Sequence, residues 1–123
     1  MTVYVSASLC AEAEGELGRS RQPDDVRVQV VCLAEAEDRG RLDLATIGAN
    51  ARRATQDSTT VAYIGEPTPR ATRFSETILH TADIAQLSAI SGEAAMRRVL
   101  RAIRSAGDSG SLRESVQDAL AES

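Results

Sequence analysis

Residues 42–91 constrain the fold of this chain more than any other stretch, because they alternate between helical and strand patterns. Asp43 precedes apolar residues at helical spacing, which predicts a capped helix that buries Leu44, Ile47, Ala51 and Ala54. Residues 60–64 are apolar after the first one, as in a strand covered on both faces. A second helix, beginning at Thr72 or Ser75, and a strand at residues 84–88 follow. This alternation predicts a parallel sheet with right-handed crossovers.

The residues before this stretch predict two further strands. Residues 3–9 are rich in β-forming side chains. Residues 26–33 alternate between apolar and polar side chains before they turn apolar, which is typical of a half-exposed edge strand. Between the two, residues 11–17 predict a weak helix, which Gly15 and Gly18 break.

Two helices are predicted beyond the last strand. The first opens at Ser91 and Gly92, ends at Gly107 and has apolar residues at helical spacing, namely Met96, Val99, Leu100 and Ile103. The second begins with a capping box at residues 111–114 and buries Leu112, Val116 and Leu120. We therefore expect one domain over residues 1–123, a three-layer α/β flavodoxin-like half. Its parallel sheet has about four strands in the order 2-1-3-4, with helices on both faces.

Charge and composition exclude several functions. The net charge is −4 and no basic run is present, which argues against nucleic acid, whose phosphates require clustered cations. All 14 basic residues are arginine, so no mechanism that needs a lysine amine can operate. No apolar run approaches membrane-spanning length, and Met1 leads directly into β-forming residues without a signal peptide. The chain as written is expected to be cytoplasmic, or extracellular or periplasmic if a leader has been removed.

Motifs for catalysis, cofactors or metals are missing from the sequence. It contains no dinucleotide-binding, P-loop or nucleophile-elbow pattern, so we expect neither a catalytic residue nor a cofactor. The single histidine, His80, is expected near a helix end and exposed to solvent. Glu35, Glu37 and Asp38 are interleaved with arginines and predict a solvated turn, with a weak cation site as the alternative.

Cys10 and Cys32 are the only cysteines. Both fall near the ends of the first two candidate strands, which are neighbours in the predicted sheet, so a disulfide is geometrically conceivable. Two buried thiols are the favoured interpretation, because a free cysteine commonly behaves as a small hydrophobic residue. With one histidine and two separated cysteines, the sequence predicts no zinc site.

Four segments carry a resemblance to a known family. They are residues 49–54, 56–57, 61–66 and 84–88, with the sequences ANARRA, QD, VAYIGE and IAQLS. Together they resemble the amino-terminal lobe of the extracellular solute-binding proteins of ABC importers, of the branched-chain amino acid type. Residues 93–120 are similar to the carboxyl-terminal helices of the same family, which there follow a second lobe. The resemblance implies a non-enzymatic, ligand-binding scaffold reduced to one lobe.

The resemblance also implies a ligand site at the ends of the third and fourth strands. In the family, hydroxyls and amides of these loops bind the ligand carboxylate. Thr72 and Ser88 match the family pattern, whereas Pro69 and Arg70 replace small residues, so the site is eroded. A weak anion site at the start of the longest helix is a further expectation, with Ser91 capping its own helix as the alternative. The candidate ligand-binding residues are Thr68, Thr72, Ser88, Ser91 and Gly92.

Three functional classes remain open at this point. The first is a non-catalytic single-lobe module that acts as a binding or interaction scaffold. The second is a sensory lobe that binds a small metabolite at the strand ends between two copies, and the third is an unrecognised flavodoxin-like enzyme. The expected ligand is small and either anionic or amino-acid-like. We also predict a homodimer through the exposed edge of the fourth strand, since that strand carries no lysine, proline or inward charge.

Overall fold

The computed structural model describes residues 1–20, 27–38, 41–66, 68–88, 91–106, 114, 116–118 and 120. Its strands are β1 (Thr2–Val5), β2 (Gln29–Cys32), β3 (Glu37–Asp38), β4 (Arg41–Leu42), β5 (Thr60–Ile64) and β6 (Ala85–Leu87). Its helices are α1 (Ala7–Arg19), α2 (Leu44–Gln56), α3 (Pro69–His80) and α4 (Gly92–Ala106). Residues 114, 116–118 and 120 are also helical.

Four strands form one parallel sheet in the order β2-β1-β5-β6. Val3 lies between Val30 of β2 and Ala62 of β5, and Ala62 pairs in turn with Ala85 of β6. The predicted α/β class and the predicted strand order are both confirmed. The antiparallel pair β3-β4 was not predicted; its two-residue strands are too short to produce a periodic pattern.

Helices cover both faces of the sheet, which makes the three layers. On one face, Val3 and Val5 pack with α1 and α4 in the larger apolar core. On the other face, Tyr4 packs with residues of α2 and α3. Side chains alternate between the faces because the strand period is two. The strand β5 is buried at all five positions, as a central strand requires, whereas β2 is partly exposed, as predicted for an edge.

The first helix corrects two expectations. The strand β1 ends at Val5, and α1 begins at Ala7, so the predicted strand at residues 3–9 was too long. The helix then continues through Gly15 and Gly18, which were expected to break it. Neither glycine faces the core, and the helix buries Leu9, Cys10, Ala13 and Glu16 against its neighbours. Burial of that face outweighs the roughly 1 kcal/mol by which each glycine disfavours a helix.

The predicted buried faces of α2 and α4 are largely confirmed. Asp43 caps α2, its carboxylate accepting a hydrogen bond from the amide of Thr46 at 3.1 Å. Leu44 is the exception, since its side chain remains 38% exposed. The predicted core residues of α4 and of the last helix that the structure describes are all buried, namely Met96, Val99, Leu100, Ile103, Val116 and Leu120. Gly107 and residues 111–113 of the predicted capping box, Leu112 among them, lie outside the described residues.

Cys10 and Cys32 form a disulfide, so the interpretation as two buried thiols was wrong. Cys10 lies in the first half of α1 and not at a strand end, and Cys32 is the last residue of β2. Their Cα atoms are 5.6 Å apart, a usual separation for a disulfide. Cys10 is buried, whereas Cys32 is exposed at the sheet edge.

In the described part of the chain, no helix has the length and apolarity that a membrane crossing requires.

Candidate functional site

At the carboxyl ends of β1 and β5, the crossover connections of the chain reverse direction along the sheet. From β1 the chain crosses to β2 on one side, and from β5 it crosses to β6 on the other side. In open α/β sheets, ligands bind in the crevice that this reversal creates. Ser6 follows β1 and the pair Gly65-Glu66 follows β5, so these residues border the crevice. The Ser6 amide donates to the carbonyl of Ile64 at 2.9 Å, which joins the two strand ends.

Glu66 is a buried carboxylate at this point, with only 6% of its surface exposed. Both of its oxygens accept hydrogen bonds from hydroxyls: Oε2 from Ser6 Oγ at 2.9 Å and Oε1 from Tyr63 at 2.8 Å. A buried charge requires such partners, because each unmet hydrogen bond costs several kcal/mol of solvation. The two hydroxyls therefore fix the carboxylate in one orientation at the mouth of the crevice.

The phenol of Tyr63 is itself changed by this arrangement. Burial within the sheet raises the pKa of Tyr63 far above its usual value of 10.0, and the negative charge of Glu66 and the hydrogen bond to it raise that pKa further. Tyr63 thus stays protonated at any physiological pH and acts as a permanent hydrogen-bond donor to Glu66.

Gly65 is required for the close approach of Ser6 and Glu66. Its φ is +138°, a backbone conformation that other residues rarely adopt. A Cβ atom at this position would overlap the hydroxyl of Ser6 and would lie 3.0 Å from its Cβ. Any side chain at position 65 would therefore displace the hydroxyl that binds Glu66.

The crevice around Ser6 and Glu66 is small and acidic. It is also bordered by Glu35 and by Glu37 of the β3-β4 pair, so three carboxylates line it. Its volume open to the centre of a water molecule is about 10 Å³, which accommodates about one water molecule or one small cation. Glu35 and Glu37 were predicted to lie in a solvated turn, and Glu35 is indeed exposed; the side chain of Asp38 lies outside the described residues.

A wider groove of about 580 Å³ adjoins the crevice. The two cavities share Glu37 and Leu42 in their linings. The groove is also lined by Arg41 and Arg70, both of which are exposed residues. Thr68, which also lines the groove, has a buried hydroxyl without a hydrogen-bond partner among the described residues. The crevice is thus lined by carboxylates, and the groove is lined by one carboxylate and two arginines.

Two of the predicted ligand-binding residues lie together at the end of β6. The hydroxyls of Thr72 and Ser88 are 2.9 Å apart, and either can be the donor. The Thr72 hydroxyl is also within donating distance of the carbonyls of Thr68, at 3.0 Å, and Glu66, at 3.2 Å. Both residues line a shallow cavity of about 250 Å³ with His80, the exposed last residue of α3. Thr68 precedes α3 and lines the groove, whereas Thr72, in the first turn of α3, lines this cavity, so the start of α3 separates the two.

Ser91 and Gly92 lie in the other helical layer. The Ser91 hydroxyl accepts a hydrogen bond from the amide of Ala94 at 3.2 Å, which is the self-capping that the sequence offered as an alternative. The amide of Gly92 points to a carboxylate oxygen of Glu12 on α1, at 3.4 Å. A negatively charged side chain of the protein thus already lies at this helix start. Anion binding by these two residues stays a prediction.

Sequence reasoning named the loops of this site but not its central residues. Ser6 fell within the predicted strand at residues 3–9, and Tyr63, Gly65 and Glu66 fell within the segment 61–66, but none of them was given a role in the site. Two signals in the sequence were available, namely a glycine followed by an acid directly after the most buried strand and a serine directly after the first strand. That they meet at one point depends on the adjacency of β1 and β5, which the order 2-1-3-4 already contained.

Comparison with known proteins adds no assignment. No family model, no curated protein and no solved structure matches this chain.

Proposed function

We propose that this chain is a non-catalytic binding lobe, related in design to one lobe of a solute-binding protein, that binds a small amino-acid-like ligand at the rim of its sheet. The observation that carries the proposal is the buried carboxylate of Glu66, oriented by Ser6 and Tyr63 at the reversal point of the sheet. Burying a carboxylate is costly, and a structural role alone would be met equally well by an apolar residue.

The hydrogen bonds of the rim favour binding over catalysis. Both oxygens of Glu66 are occupied by hydroxyl donors, so this group is a poor general base. The Ser6 hydroxyl donates its hydrogen bond directly to a carboxylate, with no imidazole between the two groups, so it is not activated as a nucleophile. Tyr63, with its raised pKa, cannot supply a phenolate. Ser6 and Glu66, which line the crevice, are thereby suited to orienting a ligand, and the buried Tyr63 supports Glu66 from within the sheet.

The charges along the rim indicate the chemistry of the ligand. Glu37 and Glu66 suit an ammonium group at the crevice, and Arg41 and Arg70 suit a carboxylate in the groove. A groove of about 580 Å³ has room for an amino acid, whereas the crevice has room only for its smallest polar end. Because one lobe covers only one side of the ligand, we expect millimolar rather than micromolar affinity for the monomer.

A dimer is the second part of the proposal. In the sheet that the structure describes, β6 is an edge strand, with β5 as its only strand neighbour. Antiparallel pairing of two such edges would satisfy their free backbone groups and join the two sheets into one. Sedimentation velocity with and without ligand tests this, and a strict monomer at high micromolar concentration in both conditions would refute it.

The binding proposal is tested by amide chemical-shift titration with glutamate, leucine, a simple amine and sulfate. We expect the zwitterions to shift the amides near Arg41, Thr68 and Glu66 more than the amine or sulfate does. Replacing Arg70 with glutamine should weaken glutamate binding about tenfold, which corresponds to about 1.4 kcal/mol. Arg73→Gln is the matched control, since Arg73 is exposed on the same helix outside the groove lining. Equal weakening by both variants, or no shift at the rim, would refute the proposal.

A further inference from the structure

Three potential metal ligands that do not line the crevice meet at the β2 edge of the sheet. Cys10 and Glu14 lie one turn apart on α1, and Cys32 ends the edge strand β2. One carboxylate oxygen of Glu14 is 2.8 Å from the sulfur of Cys32 and 3.3 Å from the sulfur of Cys10. The three ligand atoms all lie within 4.8 Å of one another. Cys32 and Glu14 are exposed, so the cluster is open to solvent.

The position of Glu14 is not explained by the disulfide. A disulfide sulfur carries no hydrogen and cannot donate a hydrogen bond, so the carboxylate gains nothing from either sulfur in the oxidised protein. After reduction, each thiol can donate to the carboxylate, or both thiolates and the carboxylate can share a cation. The same three atoms therefore form a better-matched set in the reduced state than in the oxidised one.

We propose that the reduced protein binds one Zn²⁺ through the thiolates of Cys10 and Cys32 and the carboxylate of Glu14. Two sulfurs and one oxygen are ligands that zinc prefers, and water completes the tetrahedron. Zn–S bonds of about 2.3 Å place two thiolates about 3.8 Å apart in that geometry. The Cα separation of 5.6 Å allows this by side-chain rotation, and Cys32, exposed on an edge strand, is free to make it.

The oxidised and zinc-bound forms exclude each other. A dithiol reductant transfers two electrons and two protons to the S–S bond, which yields two thiols and the oxidised reductant as a cyclic disulfide. Zinc binding then displaces the two thiol protons into solvent. The disulfide joins α1 to β2, and the metal would join the same two elements, so zinc replaces one cross-link by another.

The test uses the full chain, reduced with a phosphine that does not ligate zinc. Cobalt(II) serves as a spectroscopic probe, since thiolate ligation gives an intense charge-transfer band, and a chromogenic chelator measures zinc by competition. We expect one metal ion per reduced chain and none in the oxidised chain. Glu14→Gln should weaken zinc binding at least about tenfold, the lower end of what even outer-shell partners contribute. Cys32→Ser should abolish the charge-transfer band of a two-thiolate site.

The matched control is Glu76→Gln, which removes the same charge from an exposed position on α3 and should leave zinc affinity unchanged. If the reduced chain is unfolded without metal, recovery of helical circular dichroism on zinc addition becomes the measurement, and failure to recover overturns the proposal. Absence of the cobalt band in the folded reduced chain overturns it as well. Equal zinc affinity of Glu14→Gln and the unmodified chain refutes the three-ligand site.

Discussion

Raising the pH above 10 should destabilise this protein through Tyr63. Its pKa in the folded state is raised above the ordinary value of 10.0, first by burial and then by Glu66. The native state therefore keeps the phenolic proton at a pH where the unfolded chain has lost it. This stabilisation is fully present below pH 10 and is lost as the pH rises towards the folded-state pKa.

The magnitude follows from the linkage between proton binding and stability. One pKa unit corresponds to about 1.36 kcal/mol, so Tyr63 should account for a loss of about 1 kcal/mol at pH 11 and about 3 kcal/mol at pH 12. The composition of the chain leaves few other groups that titrate in this pH range. It has two tyrosines and no lysine, so only two phenols titrate between pH 10 and the arginine range.

The assay is urea unfolding at pH 9, 10, 11 and 12, followed by circular dichroism, for the unmodified chain and Tyr63→Phe. The variant should lose about 1.5–3 kcal/mol at pH 7, the contribution of a hydrogen bond to a charged group, and should show a flatter alkaline slope. Tyr4→Phe is the control. The pKa of Tyr4 is also raised, by burial and by Asp57, but Arg53 acts in the opposite direction, so removal of the Tyr4 hydroxyl should flatten the slope less. An unchanged slope in Tyr63→Phe would refute the reasoning.

Three further changes test the packing and charges of the fold. Gly92→Ala should lower the free energy of unfolding by about 1–3 kcal/mol, because a Cβ there would overlap the carbonyl oxygen of Leu9. In the same urea assay Gly18→Ala, whose Cβ meets nothing within 4 Å, should be neutral or gain up to about 1 kcal/mol; equal losses would contradict this account. Reducing the disulfide, whose cysteines are 22 residues apart, should lower the free energy of unfolding by about 3 kcal/mol in the presence of a chelator. An unchanged free energy of unfolding in urea would show that the disulfide does not stabilise the fold. Hydrogen bonding to Arg97 is the first cause of the lowered pKa of Glu16, so Arg97→Gln should raise that pKa towards 4.5. The loss of folding stability that is due to Glu16 as the pH falls should then be smaller, and acid unfolding can measure it. Carboxyl NMR titration follows the pKa of Glu16 directly. An unaltered Glu16 titration would exclude the ion pair with Arg97 as the cause of the lowered pKa.

The sheet could be predicted because its signals are local. The strand β5 is apolar after Thr60, and residues 26–30, which lead into the edge strand β2, alternate between apolar and polar. Each pattern reports the number of covered faces without reference to distant residues. Helix bounds were less predictable where a local rule and packing disagree. In α1, Gly15 and Gly18 locally oppose a helix, but the apolar face that packs on α4 decides the outcome.

The cysteines show a second limit of local reasoning. Their pairing depends on α1 beginning at Ala7, which brings Cys10 onto the helix face beside the end of β2. The expected strand at residues 3–9 would have placed it elsewhere. An error of a few residues in one boundary thus changed the predicted chemistry of two side chains.

The centre of the candidate site depends on contacts between residues far apart in sequence. Ser6 and Glu66 are separated by 60 residues, and neither position by itself carries a functional pattern. Their hydrogen bond requires that β1 and β5 be neighbours, that both strands end at the same level and that position 65 have no side chain. The first condition was contained in the predicted strand order, but the second depends on register, which includes an irregularity between Thr2 and Val3. A glycine and an acid after a buried strand therefore become informative only when the neighbouring strand is known to end in a hydroxyl, and that combination could be searched for in other sequences of this fold class.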